Sequence, residues 1–256
     1  MLNESIAIGM YALNSELENA WKTLFSVAAE NNPSLRLPGT VLNTIDDEIV
    51  SSEKTRLSHV CGYPLVNQYA GQLKPLCAPH FDIDGVNGAE YFSYFMVKKT
   101  MPINSIVESD GLIAAVNTIN SNSGMNVLRH EIETINKLGA IEQFFKEINI
   151  SGSHNNSLQY LIDEKADIAS IDAASYYFLQ RNNQELNSQL KVIGCSVKTT
   201  SPPFVTHVKN PLCGSVDLME TLNRALLDLP SKQQEILNIE RFVDVSFSDY
   251  EKLLYL

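Results

Sequence analysis

Two short segments carry the residue types best suited to holding a small anion: Ser121-Asn122-Ser123-Gly124 and Ser151-Gly152-Ser153-His154. Serine and asparagine present side-chain donors, and glycine lets a backbone approach a ligand closely. Each segment follows an apolar stretch and opens a run with helical spacing. The first N–H groups of a helix have no internal partner, and the helix dipole favours negative charge there. His154 would donate to an oxyanion from neutral imidazole or pair with it as imidazolium. A third loop carries Asp172, with Ser175 following. Its carboxylate would accept a proton from a protonated phosphate or phosphonate oxygen, or pair with a ligand ammonium. Ordinary N-capping also accounts for each loop taken alone, because Ser, Asn and Asp are favoured caps. Two Ser/Gly-rich loops opening consecutive helices of one lobe weigh toward binding.

Other chemistries find less support. No GxSxG elbow, Walker loop or HExxH helix is present, so no catalytic residue is assigned and no cofactor is expected. His80, Asp82 and Asp84 form a His-x-Asp-x-Asp cluster, but the surrounding Pro and Gly favour a turn with solvated carboxylates over a metal site. Cys61 with His59 could suggest a thiol nucleophile, yet no third orienting group is visible.

The four cysteines, Cys61, Cys77, Cys195 and Cys213, include no CxxC pair and read as free thiols, although their even number permits disulfides. The formal net charge of −11 disfavours binding to nucleic acid and docking on anionic membranes. It leaves a small anionic ligand possible, because a buried site is governed by local donors. No apolar run approaches the ~20 residues that span a bilayer. Met1-Leu2-Asn3-Glu4 lacks a basic n-region, so as written the chain reads as cytoplasmic unless a leader has been removed.

The elements that must position these loops follow from periodicity. Residues 5–10 read as a buried strand. Asn14 or Ser15 caps a helix with Leu17, Ala20, Trp21, Leu24, Phe25 and Ala28 on one face, and Thr40–Ile45 reads as the next strand. This β-α-β opening suggests a parallel sheet. Leu73–Phe81 is apolar but interrupted by Pro75 and Pro79. From 91 to 195 a strand–loop–helix pattern repeats, with strands at Tyr91–Val97, Leu112–Val116, Asp167–Ile171 and Leu190–Cys195. The helix after Gly124 places Met125, Leu128, Ile132 and Ile135 on one face. Helices around Ser215–Leu229 and Ser231–Asn238 lead to a tail with a short helix at Ser248–Leu254.

Taken in order, Cys61-Gly62-Tyr63-Pro64-Leu65, the Tyr91–Val97 strand, the two Ser/Gly loops, Ala166–Asp172 and Pro203-Phe204-Val205-Thr206 resemble the phosphate/phosphonate substrate-binding proteins of ABC transporters. The resemblance runs from about Ile6 to Phe242. It implies the type II periplasmic-binding-protein fold: two α/β lobes, 1–88 plus 200–256 and 89–199, joined by two crossover strands with the ligand cleft between them. It implies a monomeric solute-binding protein that closes on phosphate or a phosphonate and serves an ABC permease, in the periplasm. Ser121, Asn122 and Ser123 would be oxyanion donors, His154 a side-chain donor and Asp172 an acceptor, while Tyr11 and Tyr63 would face the ligand from the first lobe. Asn122 stands where phosphonate binders often have a hydroxyl residue. The same fold hosts enzymes and sensors, so a cytoplasmic protein acting on a phosphorylated metabolite is the alternative.

Overall fold

The computed structural model describes residues 4–214 and 217–256, so Met1–Asn3 and the expected helix start at Ser215 lie outside the described residues. The strands along the chain are β1 (Ser5–Ala7), β2 (Val41–Leu42), β3 (Thr55–His59), β4 (Leu73–Phe81), β5 (Glu90–Tyr91), β6 (Ser93–Lys98) and β7 (Ile113–Val116). They continue with β8 (Glu147–Ile150), β9 (Ile168–Asp172), β10 (Leu190–Cys195), β11 (Thr199–Thr200), β12 (Phe204–His207) and β13 (Ile239–Val243). The chain divides into two units. One runs up to Glu90 and returns over Thr200–Leu254; the other comprises Tyr91–Thr199 with Tyr255–Leu256.

The first unit is built on a sheet ordered β13-β4-β12-β3-β1-β2. Its β2-β1-β3 portion is parallel, as the β-α-β opening predicts, and β12 runs antiparallel between β3 and β4. The helix Ser15–Asn31 starts where Asn14 Oδ1 accepts from Leu17 N at 2.8 Å, and it buries the expected face from Leu17 to Ala28. Trp21 and Phe25 pack edge-on against Phe204. Both prolines of the apolar stretch sit inside β4. That strand pairs with β12 over residues 73–77 and with β13 over residues 78–81, so each proline has a strand neighbour on one side only. The absent N–H can then face the open side.

The second unit is built on a sheet ordered β10-β6-β9-β7-β8. β8, β7 and β9 are parallel, whereas β6 and β10 are antiparallel additions. Alternate residues feed opposite faces, as strand geometry requires. Phe95, Val97, Ala114, Val116 and Ile168 pack with Met125, Leu128 and Ile132 on one face. Met96, Ala115, Ala169 and Ile171 pack with Leu158 and Leu161 on the other. Ile135 departs from the expected face and is 51% exposed. Its segment, Glu131–Ile135, is π-helical, and the extra residue per turn rotates Ile135 out of the stripe.

Candidate functional site

Because β8, β7 and β9 are adjacent and parallel, the loops leaving their carboxyl ends emerge along one edge of the sheet, where α/β proteins build their sites. Those loops are the three picked out by their chemistry. Backbone bonds splice the first two together: Ser151 N donates to Val116 O and Gly152 N to Asn117 O, both at 2.9 Å.

The first loop turns into a π-helical segment, Asn122–Asn126. Met125 N and Asn126 N both donate to Ser121 O, at 3.1 and 3.0 Å, and Ser121 Oγ accepts from Gly124 N at 2.9 Å. Ser121 is therefore the cap of this turn. A Cβ at position 124 would stand 2.0 Å from Asn117 Oδ1, so a side chain there would have to displace Asn117. Wide turns of this kind recur at functional sites.

Ser123 is the focus of the arrangement. Its Oγ lies 2.9 Å from His154 Nε2 and 3.4 Å from Ser121 Oγ. Its carbonyl accepts from Ser93 Oγ at 2.9 Å and from Ser170 Oγ at 2.6 Å, which fixes the turn against β6 and β9. His154 opens the helix His154–Ile162, capped by Ser153 Oγ accepting from Asn156 N at 3.1 Å. Burial pulls the His154 pKa down to about 4, with the Ser170 backbone acting weakly in the opposite sense. Nδ1 is buried and makes no hydrogen bond of acceptable geometry. The ring is thus neutral at ordinary pH. Of the two forms expected from sequence, burial favours the neutral imidazole over the imidazolium.

Asn122 opens the π-helical segment. It is fully buried, and its amide donates to Tyr91 Oη at 2.8 Å and Thr199 Oγ1 at 2.9 Å, while Oδ1 accepts from Asn126 Nδ2 at 3.1 Å. The side chain expected to donate to a ligand is engaged within the protein. Asp172 is buried at the end of β9, and its Oδ1 accepts from Ser175 N at 2.6 Å, capping the helix Ala173–Asn182. The capping expected of its residue type is present, and the register pairs it with Ser93.

The structure thus gathers Ser121, Asn122, Ser123 and His154 into one network, with Asp172 on the strand that also supplies Ser170. Sequence reasoning passed over Ser93, Ser170, Tyr91 and Thr199. The signal for two of them was present: Ser93 opens β6 beside an apolar run and Ser170 lies among apolar residues of β9, where a buried hydroxyl must find a partner.

In the first unit, the Tyr11 ring packs edge-on against Phe81 and tilted against His59, so it belongs to that unit's aromatic core. Tyr63 is half-buried in the first turn of the helix Gly62–Asn67. His59 stacks on Phe204, and its Nε2 lies 3.0 Å from Pro202 O. The ring is buried in the aromatic core, and that burial lowers its pKa to about 3. Among the described residues Cys77, Cys195 and Cys213 are free thiols, and no cluster could hold a metal; His80 lies 3.4 Å from Glu240.

Comparisons with known proteins bear on the family and the fold. A family described as ABC transporter, phosphonate, periplasmic substrate-binding protein matches residues 50–250. The binding protein of a phosphonate ABC transporter from Pseudomonas aeruginosa is similar over 98% of this chain and 85% of its own, with a TM-score of 0.75 at 16% identity. A protein from Prochlorococcus marinus, solved with methylphosphonate, is similar over 98% of this chain and 96% of its own, with a TM-score of 0.74 at 16% identity. A Xanthomonas citri protein bound to ATP reaches a TM-score of 0.65 at 13% identity, over 99% of this chain and 95% of its own. No curated protein matches the sequence. The likeness to the solved structures establishes the fold: two α/β lobes of the type II periplasmic-binding-protein class.

Proposed function

We propose, for a chain that belongs to the periplasmic substrate-binding family of phosphonate ABC transporters, that it binds phosphate or a small phosphonate through the turn at 121–124 and His154. The observation that carries this reading is the Ser123–His154 contact at 2.9 Å, which joins two helix-opening loops of one sheet edge. With the proton on Nε2, His154 donates to the serine oxygen, and the serine hydroxyl hydrogen is left to give to an anion. An anion at the turn selects that tautomer, and it meets the positive end of the helical segment beginning at Asn122. Ser121 contributes the backbone geometry that holds the turn open.

Asp172 supplies the contrasting charge. A carboxylate close to a phosphorus oxyanion favours a monoprotonated ligand oxygen or an ammonium on the ligand. The family's setting implies delivery to a membrane permease from the periplasm. Among the described residues no helix is long and apolar enough to cross a membrane.

The test is a titration with phosphate, methylphosphonate, aminoethylphosphonate, sulfate and a sulfonate. A phosphorus oxyanion should stabilise the fold by about 2.7 kcal/mol at a hundredfold excess over its dissociation constant. Preference for aminoethylphosphonate over methylphosphonate would assign Asp172 to an ammonium. No response to any oxyanion at millimolar concentration would refute the reading.

A further inference from the structure

Asn122 lies inside the anion-binding turn of the proposal above, yet its side chain reaches away from that role. Its amide donates to Tyr91 Oη at 2.8 Å and to Thr199 Oγ1 at 2.9 Å. Those two residues are far apart in sequence but special in topology. Tyr91 ends β5 and is the first residue of the second unit, and Thr199 begins β11 and is the last residue before the chain returns to the first. One side chain therefore holds both strands by which the chain crosses between units. Its own backbone carbonyl meanwhile accepts from Val127 N and closes the π-helical turn. All three side chains are buried, at 0% exposure for Asn122, 3% for Tyr91 and 4% for Thr199.

We infer that Asn122 is a positioning residue that couples the anion-binding turn to both crossing strands, so that the conformation of the turn and that of the crossings are set together. The physical basis is that a buried amide cannot release its hydrogen bonds without cost, since no water replaces them. A turn tightened around a ligand then biases the crossings through Asn122, and a change in the crossings loosens the turn. The wide turn supports this role. Asn126 fixes the amide's orientation by donating to Oδ1, which leaves both amide hydrogens to Tyr91 and Thr199. The inference rests on the anion-binding reading only for the identity of what occupies the turn.

Hydrogen exchange in the ligand-free protein tests the coupling directly. Thr199→Val and Tyr91→Phe each remove one hydroxyl acceptor and leave the shape nearly unchanged. Each should accelerate exchange across the whole turn, residues 121–127, by about tenfold, the equivalent of one net hydrogen bond. Thr199→Ser, which keeps the hydroxyl, should restore the wild-type rate. Asn122→Leu should loosen the turn and both crossing segments together. If Asn122→Leu does not fold, the two hydroxyl variants still decide the matter. Unchanged exchange at 121–127 in both, or failure of Thr199→Ser to rescue, would overturn the inference. Titration with methylphosphonate separates the two claims. Exchange coupling without any anion binding by the wild type would sink the anion-binding reading and leave the tether standing. Anion binding without coupling would do the reverse.

Discussion

Ser123 Oγ and His154 Nε2, 31 residues apart in sequence, meet at 2.9 Å where the loops after β7 and β8 converge. The pair is assembled by sheet topology, because the adjacent parallel strands β7 and β8 deliver both loops to one edge. Removing either partner should weaken binding of a phosphorus oxyanion by about tenfold to a hundredfold, the range for hydrogen bonds to charged groups. Calorimetric titration of Ser123→Ala and His154→Ala with methylphosphonate checks this.

Two buried neutral histidines make the stability acid-sensitive. His59 and His154 are held down to about 3 and about 4 by burial, against about 6.5 in an unfolded chain. Below pH 6.5 the unfolded state therefore binds protons that the folded state refuses. The contribution is fully present above that pH and is lost as pH falls toward the folded values. Between pH 6.5 and about 5, unfolding free energy should decline with a slope approaching ~1.4 kcal/mol per pH unit for each histidine. The carboxylates with lowered pKa values, such as Glu53 and Asp249, titrate below this window. Urea unfolding of His154→Gln should show a shallower decline than the wild type, and an identical slope would contradict the burial of its ring.

A side chain at Gly124 should displace Asn117. A Cβ there would press against Asn117 Oδ1 at 2.0 Å and Ser121 Oγ at 3.2 Å. Gly124→Ala is expected to cost about 1–3 kcal/mol by overpacking and to impair anion binding by displacing the turn. Gly39→Ala is the control, since nothing lies within 4 Å of its Cβ position. Thermal melts of the two variants should differ clearly.

Asp172 has a measurable structural duty apart from any ligand. Its Oδ1 accepts from Ser175 N at 2.6 Å at the start of the helix Ala173–Asn182. Asp172→Ala should lose about 1 kcal/mol of stability with the cap. Asp172→Asn keeps an acceptor and should recover most of it. A ligand role would appear as a change in anion preference in Asp172→Asn at near-native stability.

Much of the fold could be read from the chain because local rules and tertiary packing agree. Asn14 caps the helix it was expected to cap, and alternation in β6, β7 and β9 feeds two apolar faces. The Ser/Gly loops open helices as their composition requires. What was not legible shares a cause in backbone irregularity. The π-helical turns add a residue per turn, which moves Ile135 out to solvent and sends Asn122 into the protein. An ordinary helical count places neither. Pro75 and Pro79 disguised a nine-residue strand, because sequence cannot show that β4 has different neighbours along its two halves. Ser93 and Ser170 were hidden because a buried hydroxyl announces a partner without identifying it.

The account turns on Ser123 and His154 acting as one anion-binding unit. The most direct test is a double-mutant cycle on methylphosphonate affinity, using wild type, Ser123→Ala, His154→Ala and the double variant. The expected result is strong non-additivity, with the double variant binding about as weakly as the weaker single variant. Additive losses, or wild-type affinity in all three variants, would contradict it.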